Sequence, residues 1–218
     1  MINTIVTFLK DLSVNNNREW FAENKFRYEA SRSAFISLVT SLHKEISVFD
    51  ENIRILDPKE CIFRIFRDVR FSKDKSPYKT NFGAYMNLNG KKVNNAGYYF
   101  HLEPGNSFLC GGIYMPQPSV LKLLRQDVYY NFDEFNRIIS EKKFKDYFGD
   151  VSGSKLQRLP PEFPKEFRGA EYLKLKDYLA MHPYDPEQFN EKELIAYVAK
   201  VFRAMKPLND FLNRAVSF

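Results

Sequence analysis

Apolar residues recur at helical spacing through the first quarter of the chain. Phe21, Tyr28, Phe35 and Leu42 stand at intervals of seven, with Leu38, Val39 and Ile46 beside them. One stripe of a long helix running to about Ile46 therefore faces a core. Asn16, followed three residues later by Glu19, has the form of a capping box and sets the helix start. Arg18, Lys25, Arg27, Glu29 and Arg32 fall largely off the stripe. Because the stripe is short and carries aromatics, it suits packing within the chain better than a coiled coil between chains. An apolar segment at residues 2–12 precedes this helix, and Asp57-Pro58 marks the turn after it.

From Cys61 the period changes to two, which predicts strands at roughly 61–71, 80–88, 97–103 and 107–115. Asn89-Gly90, in a loop that runs on to Ala96, and Pro104-Gly105 are the turn signals between them, and short turns make antiparallel neighbours. A tight second turn would set Gly97 opposite Gly111-Gly112. Strand glycines are tolerated where another backbone or a ligand comes close, or at a bulge. Pro116 and Pro118 end the last strand and open a helix carrying Val120, Leu121, Leu124 and Val128, whose first amides could add to an anion site at this end of the sheet. The rest reads as helical and irregular. Asn190 and Glu193 form a second cap, Leu194, Val198, Val201, Met205, Leu208 and Leu212 keep a four-three alternation, and Pro207 should kink or divide that helix. The expectation is one α+β domain over residues 1–218. An antiparallel meander of four or more strands is flanked by a long N-terminal helix and by C-terminal helices.

Composition adds little to the fold and more to the surroundings. With 21 Phe and 13 Tyr in 218 residues the chain can bury a large core without staples. Cys61 and Cys110 are its only cysteines and have no CxxC spacing, which suits a reducing compartment, the cytoplasm. Neither a signal peptide nor a run of about eighteen apolar residues is visible, so no membrane partner is expected. The net charge of +6 favours acidic partners only weakly until its distribution is considered.

That distribution is uneven. In Arg64 to Lys79, RIFRDVRFSKDKSPYK, six residues are basic and only Asp68 and Asp74 acidic, with Phe66, Phe71 and Tyr78 interleaved. On a strand, alternation puts Arg67 in the row of Cys61, Phe63, Ile65, Val69 and Phe71, and a guanidinium buried there needs a carboxylate, carbonyls or a bound anion. An acid of the long first helix is one candidate partner. Arg64, Asp68 and Arg70 share the opposite face, where Asp68 could orient either arginine toward a phosphate or carboxylate. The loop then offers Lys73, Lys75 and Lys79, with Ser72 and Ser76. It lacks the glycines of a Walker A motif, so side chains would do the holding. A Lys-rich loop is also a common way to keep a turn in water.

Catalytic signals are sparse. GxSxG, HExxH and GxGxxG are absent, and His43, His101 and His182 have no metal-ligand spacing, so neither a metal nor a cofactor is implied. His101 alternates with Tyr99 and Glu103, and a histidine beside a carboxylate could serve as general acid or base. A satisfied structural histidine is the more ordinary outcome.

The stretch RIFRDVRFSKDKSPYKTNFGAY, with Trp20-Phe21 upstream, GYYFHLEPGNSFLCGG and EYLKLK at 171–176, resembles a bacterial and fungal family known only as a conserved domain of unknown function. The likeness covers nearly the whole chain. It implies a cytosolic, single-domain protein of mixed helix and strand and brings no reaction with it. The family's recurrent positions fall on Arg64, Arg67, Asp68, Arg70, Phe71, Lys75, Pro77, Tyr78 and Lys79, and on Tyr98, Tyr99, His101, Glu103, Pro104, Gly111 and Gly112. Cys110 departs from the pattern, which has a small residue before the glycines.

Three functions fit these residues. In the first, Arg64, Arg67, Arg70, Lys73, Lys75 and Lys79 bind an anionic, phosphate-bearing ligand, nucleic acid or a phosphorylated small molecule. In the second, an enzyme acts on a phosphorylated or carboxylated small molecule, with His101 or Glu103 as acid or base, the arginines as charge clamps and Asp68 as a further candidate. In the third, the basic face docks an acidic protein. The oligomeric state is left open.

Overall fold

Phe82, Ala84 and Met86 are buried on one side of a strand whose other side carries Gly83, Tyr85 and Asn87, and the same alternation runs through its neighbours. The computed structural model describes residues 1–88, 90 and 95–216. Among them four strands form one antiparallel sheet in chain order: β1 (Phe82–Asn87), β2 (Gly97–Leu102), β3 (Phe108–Ile113) and β4 (Tyr178–Pro183). The architecture is α+β, as the alternation predicts. Gly90 keeps a positive φ of 76°, while Asn89 of the expected turn lies outside the described residues, as do 91–94 of the loop.

The helices are α1 (Ile2–Val14), α2 (Arg18–Glu23), α3 (Lys25–Ser47), α4 (Pro118–Tyr130), α5 (Phe132–Ser140), α6 (Lys142–Phe148), α7 (Ala170–Leu173) and α8 (Glu191–Val216). The single N-terminal helix expected from the heptad spacing is two, broken at Asn24. The cap is Asn17, whose side chain accepts the Trp20 amide at 2.8 Å. Asn16 instead pairs with Tyr78, its amide donating to the Tyr78 carbonyl at 3.0 Å and its oxygen accepting the Tyr78 amide at 3.1 Å. Phe21 then stacks on Tyr78 at 3.9 Å, so Trp20-Phe21 and the basic motif meet in one aromatic cluster. The C-terminal cap is as expected: the Asn190 and Glu193 side chains each accept the other's backbone amide at 3.0 Å. Pro207 does not divide α8, which continues through it.

Two expectations about strands fail. Residues 61–71 are not a strand. Ile62 bridges Ala84, but four residues later Phe66 bridges Tyr78 where an unbroken ladder would give it Thr80. This two-residue offset breaks the pairing and turns Thr80 and Asn81 toward β2. The fourth strand is β4, within the stretch expected to be helical and irregular. Its outward residues Leu179 and Met181 are apolar like its inward ones, so no alternation marks it. Ser152 pairs with Leu179 along its outer edge, as Phe63 does with Gly83 along β1, and both edges are partly covered.

Helices α3 and α8 cover the inner face. The glycine register is as expected, with Gly97 opposite Gly112 and Tyr98 opposite Gly111. A Cβ on Gly111 would lie 1.8 Å from the Met205 sulfur, so the glycine admits helix α8. Asn209 of α8 reaches the same place: its oxygen accepts the Gly112 amide at 2.9 Å, and its amide donates to the Gly97 carbonyl at 3.0 Å. No helix among the described residues is long and apolar enough to cross a membrane.

Candidate functional site

Residues directly opposite across a sheet share a face. The register therefore sets Tyr85, Tyr99, Cys110 and Met181 in one row over all four strands, on the face that α3 and α8 leave uncovered. This row is the floor of a cleft of about 630 Å³. Phe63 and Lys79 come to it from the segment before β1, Phe108 and Leu179 flank the row, and Tyr114 lies at the end of β3. Most of the lining is apolar or aromatic. The Lys79 ammonium is its one formally charged lining group among the described residues, and it sits 5.5 Å from the centre of the Phe63 ring.

The cleft's hydroxyls differ in what they can do. Tyr85 donates to the Asn95 carbonyl at 2.6 Å, and burial pushes its pKa far up. Tyr99 lies over Gly83, where a Cβ would stand 2.7 Å from the hydroxyl, and donates to His101 Nδ1 at 2.9 Å. Asn81 points its amide at the same nitrogen, 3.4 Å away. With Nδ1 accepting, the Nε2–H donates to Glu103 Oε2 at 3.2 Å. Thr80 at 2.5 Å and Asn106 at 2.9 Å complete the shell of Glu103. The two residues displaced by the offset before β1 thus complete a chain from Glu103 through His101 to Tyr99, whose side chain lines the cleft.

The electrostatics agree with a neutral imidazole. Burial lowers the His101 pKa from its usual 6.5 and outweighs the pull of Glu103. Burial opposes the charged form of Glu103, yet hydrogen bonds from Thr80, Asn106 and His101 prevail and hold its carboxyl below the ordinary range. Burial pushes Tyr99 up to about 12 and the Cys110 thiol likewise to about 12, so neither is ionised at neutral pH. The chain can relay a proton between the cleft and Glu103, and Cys110 is not a ready nucleophile.

A depressed histidine pKa has a consequence for stability. Below pH 6.5 the unfolded chain takes up protons at His101 that the folded chain refuses, so stability falls with pH until the folded-state pKa is passed. Replacing His101 with Asn should flatten that slope. Urea denaturation at several pH values just below 6.5 measures it, and parallel slopes for both proteins would contradict the assignment.

Of the six cations expected to bind an anion, Arg67, Arg70, Lys75 and Lys79 are engaged in different places. Arg67 is bound within its own loop, by the Asp74 carboxylate, the Ser76 carbonyl at 3.2 Å and the Ser72 hydroxyl at 3.4 Å, and not by an acid of the first helix. Hydrogen bonds from Ser76, then from Arg67, hold Asp74 at about 2. Asp68 is fully engaged by Arg70 at 2.7 and 3.0 Å, which keeps its carboxyl low. Lys75 donates to the Val69 carbonyl at 3.0 Å. Arg64 and Lys73 are exposed, and Phe71 at the loop's tip is 97% exposed. Of the six cations only Lys79 lines the cleft, and the start of α4 contributes nothing to it.

The other histidines are structural. His43 pairs with the Ile53 carbonyl at 2.7 Å, and His182 with the Tyr147 carbonyl at 2.8 Å and the Tyr197 hydroxyl at 2.5 Å. Sequence reasoning found His101 and Glu103 but missed Thr80, Asn81, Gly83 and Tyr85, and missed Tyr99 as the member that reaches the cleft. It also missed Asp177, which is buried and accepts the Met115 amide at 2.7 Å and the Ser154 hydroxyl at 2.6 Å. That bond holds Met115 at a φ of 46° just past the cleft residue Tyr114.

No curated protein and no solved structure matches the chain. A family model described as a conserved hypothetical protein, DUF2461, matches residues 4–211, which takes in the cleft, the relay and the basic loop. The chain therefore belongs to the DUF2461 family of conserved hypothetical proteins.

Proposed function

We propose that the cleft on the uncovered sheet face binds a small molecule with a flat apolar body and one anionic group. The observation that carries this reading is the row Tyr85, Tyr99, Cys110 and Met181, a largely apolar floor with one ammonium among the described residues, Lys79, beside it. Its volume falls within the range of about 300–1,000 Å³ found for small-molecule sites. The body lies against Phe63, Phe108 and Leu179, and the anion meets Lys79. Anion binding is thereby kept from the sequence reading and concentrated on the one of its six cations that lines the cleft. Cys61 and Cys110 are buried and joined by no disulfide, which supports a reducing, cytoplasmic setting.

Thermal-shift titration with phenyl phosphate and benzoate tests the reading, with phenol as the uncharged control. Both anions should stabilise the protein more than phenol. A charge-assisted hydrogen bond is worth about 1.5–3 kcal/mol, so Lys79→Met should weaken them by about tenfold or more. Replacing Arg64 and Lys73 by Ala should change little. Loss of binding in the Arg64/Lys73 variant but not in Lys79→Met would move the site to the loop.

The hydrogen-bond chain favours a second reading, an enzyme in which Tyr99 exchanges a proton with the bound molecule while His101 and Glu103 position and recharge it. Tyr99→Phe would then retain ligand-induced stabilisation and lose turnover.

A further inference from the structure

A second hollow, of about 890 Å³, lies between α5, α6 and the middle of α8 and shares no lining residue with the cleft. Ile138, Tyr147, Ala204 and Pro207 give it apolar walls. Its rim carries five cations, Arg137, Lys142, Lys143, Lys200 and Arg203, against two carboxylates, Glu141 and Asp146. Glu141 is occupied in capping α6, where it accepts the Phe144 amide at 3.1 Å, and Arg203 lies 4.9 Å from the Phe49 ring centre. Among the described residues the ion pairs run between other side chains and involve none of these seven, so the positive excess of the rim is not cancelled from within the fold. Pro207 has no amide hydrogen and sits four residues after Arg203, so the Arg203 carbonyl lacks its usual helical donor beside the groove.

We propose that this groove docks an acidic amphipathic segment of a partner protein, with apolar side chains in the hollow and carboxylates against the rim. An apolar floor inside a ring of cations complements a helix with Leu-like residues on one face and Glu or Asp at its margins. A nucleic-acid backbone would use the cations and leave the floor bare. The Arg203 carbonyl offers a bond to a hydroxyl or amide of the incoming segment.

Fluorescence anisotropy with a labelled Leu/Glu peptide at helical spacing tests this, with a Leu/Lys peptide of the same pattern and a single-stranded oligonucleotide as controls. The acidic peptide should bind and weaken as salt rises. The double variant Lys142→Glu, Lys143→Glu should cost about tenfold or more in affinity. It is expected to fold, because both positions lie in the first turn of α6, where the helix dipole favours acids. Reversing Arg64 and Lys73, which do not line the groove, should leave affinity within about twofold. The proposal is overturned if the acidic peptide does not bind, if the basic peptide binds equally well, if the two reversals act alike, or if the oligonucleotide binds more tightly and displaces the peptide.

Discussion

Asn209→Leu should lower the unfolding free energy by about 2–5 kcal/mol, the range expected when two buried backbone groups lose their partners at about 1–3 kcal/mol each. The stranded groups are the Gly112 amide and the Gly97 carbonyl, which face one another across β2 and β3 and which the Asn209 side chain spans from α8. Leucine keeps the branched shape and is larger than asparagine, so no cavity contributes to the loss. Urea unfolding of both proteins measures the difference, and a loss below about 1 kcal/mol would mean that the strands satisfy these groups without the helix.

Gly112→Ala should cost as much or more, about 3 kcal/mol or above, for a different reason. Gly112 has a φ of 99°, which alanine adopts only under strain, and an added Cβ would stand 1.9 Å from the Tyr178 carbonyl oxygen. The obstacle is backbone, so β3 and β4 would have to separate there, on the floor of the cleft. The variant should therefore lose ligand-induced stabilisation together with stability. In Asn209→Leu the cleft side chains are untouched and binding by the folded fraction should persist.

The fold was legible wherever residue type changes regularly between the faces of an element. Phe82, Ala84 and Met86 alternate with Gly83, Tyr85 and Asn87, and the α8 stripe from Leu194 to Leu212 is buried throughout. Legibility stopped where that contrast fails. Leu179 and Met181 are apolar because they line the cleft, so β4 looked like anything but a half-exposed strand. The converse happened at 61–71, where the alternation is good but the pairing partner slips by two residues at Thr80 and Asn81, a displacement that no local pattern reveals.

The candidate site followed the same division. His101 in β2 and Glu103 just past its end stand two apart, and their contact could be read from spacing. The row under the cleft joins residues 85, 99, 110 and 181, and its last member depends on β4. The basic motif misled because charge density in sequence does not say which cations are already matched, and Asp74 and Asp68 match Arg67 and Arg70 within the loop itself.

A crystal of the protein soaked in phenyl phosphate is the most direct test of where this chain takes its ligand. Density for the ring over Tyr99 and Phe108, with the phosphate within hydrogen-bond reach of Lys79, is the expected result. A phosphate held by Arg64, Lys73 or their neighbours on the exposed loop, with the sheet face bare, would contradict it.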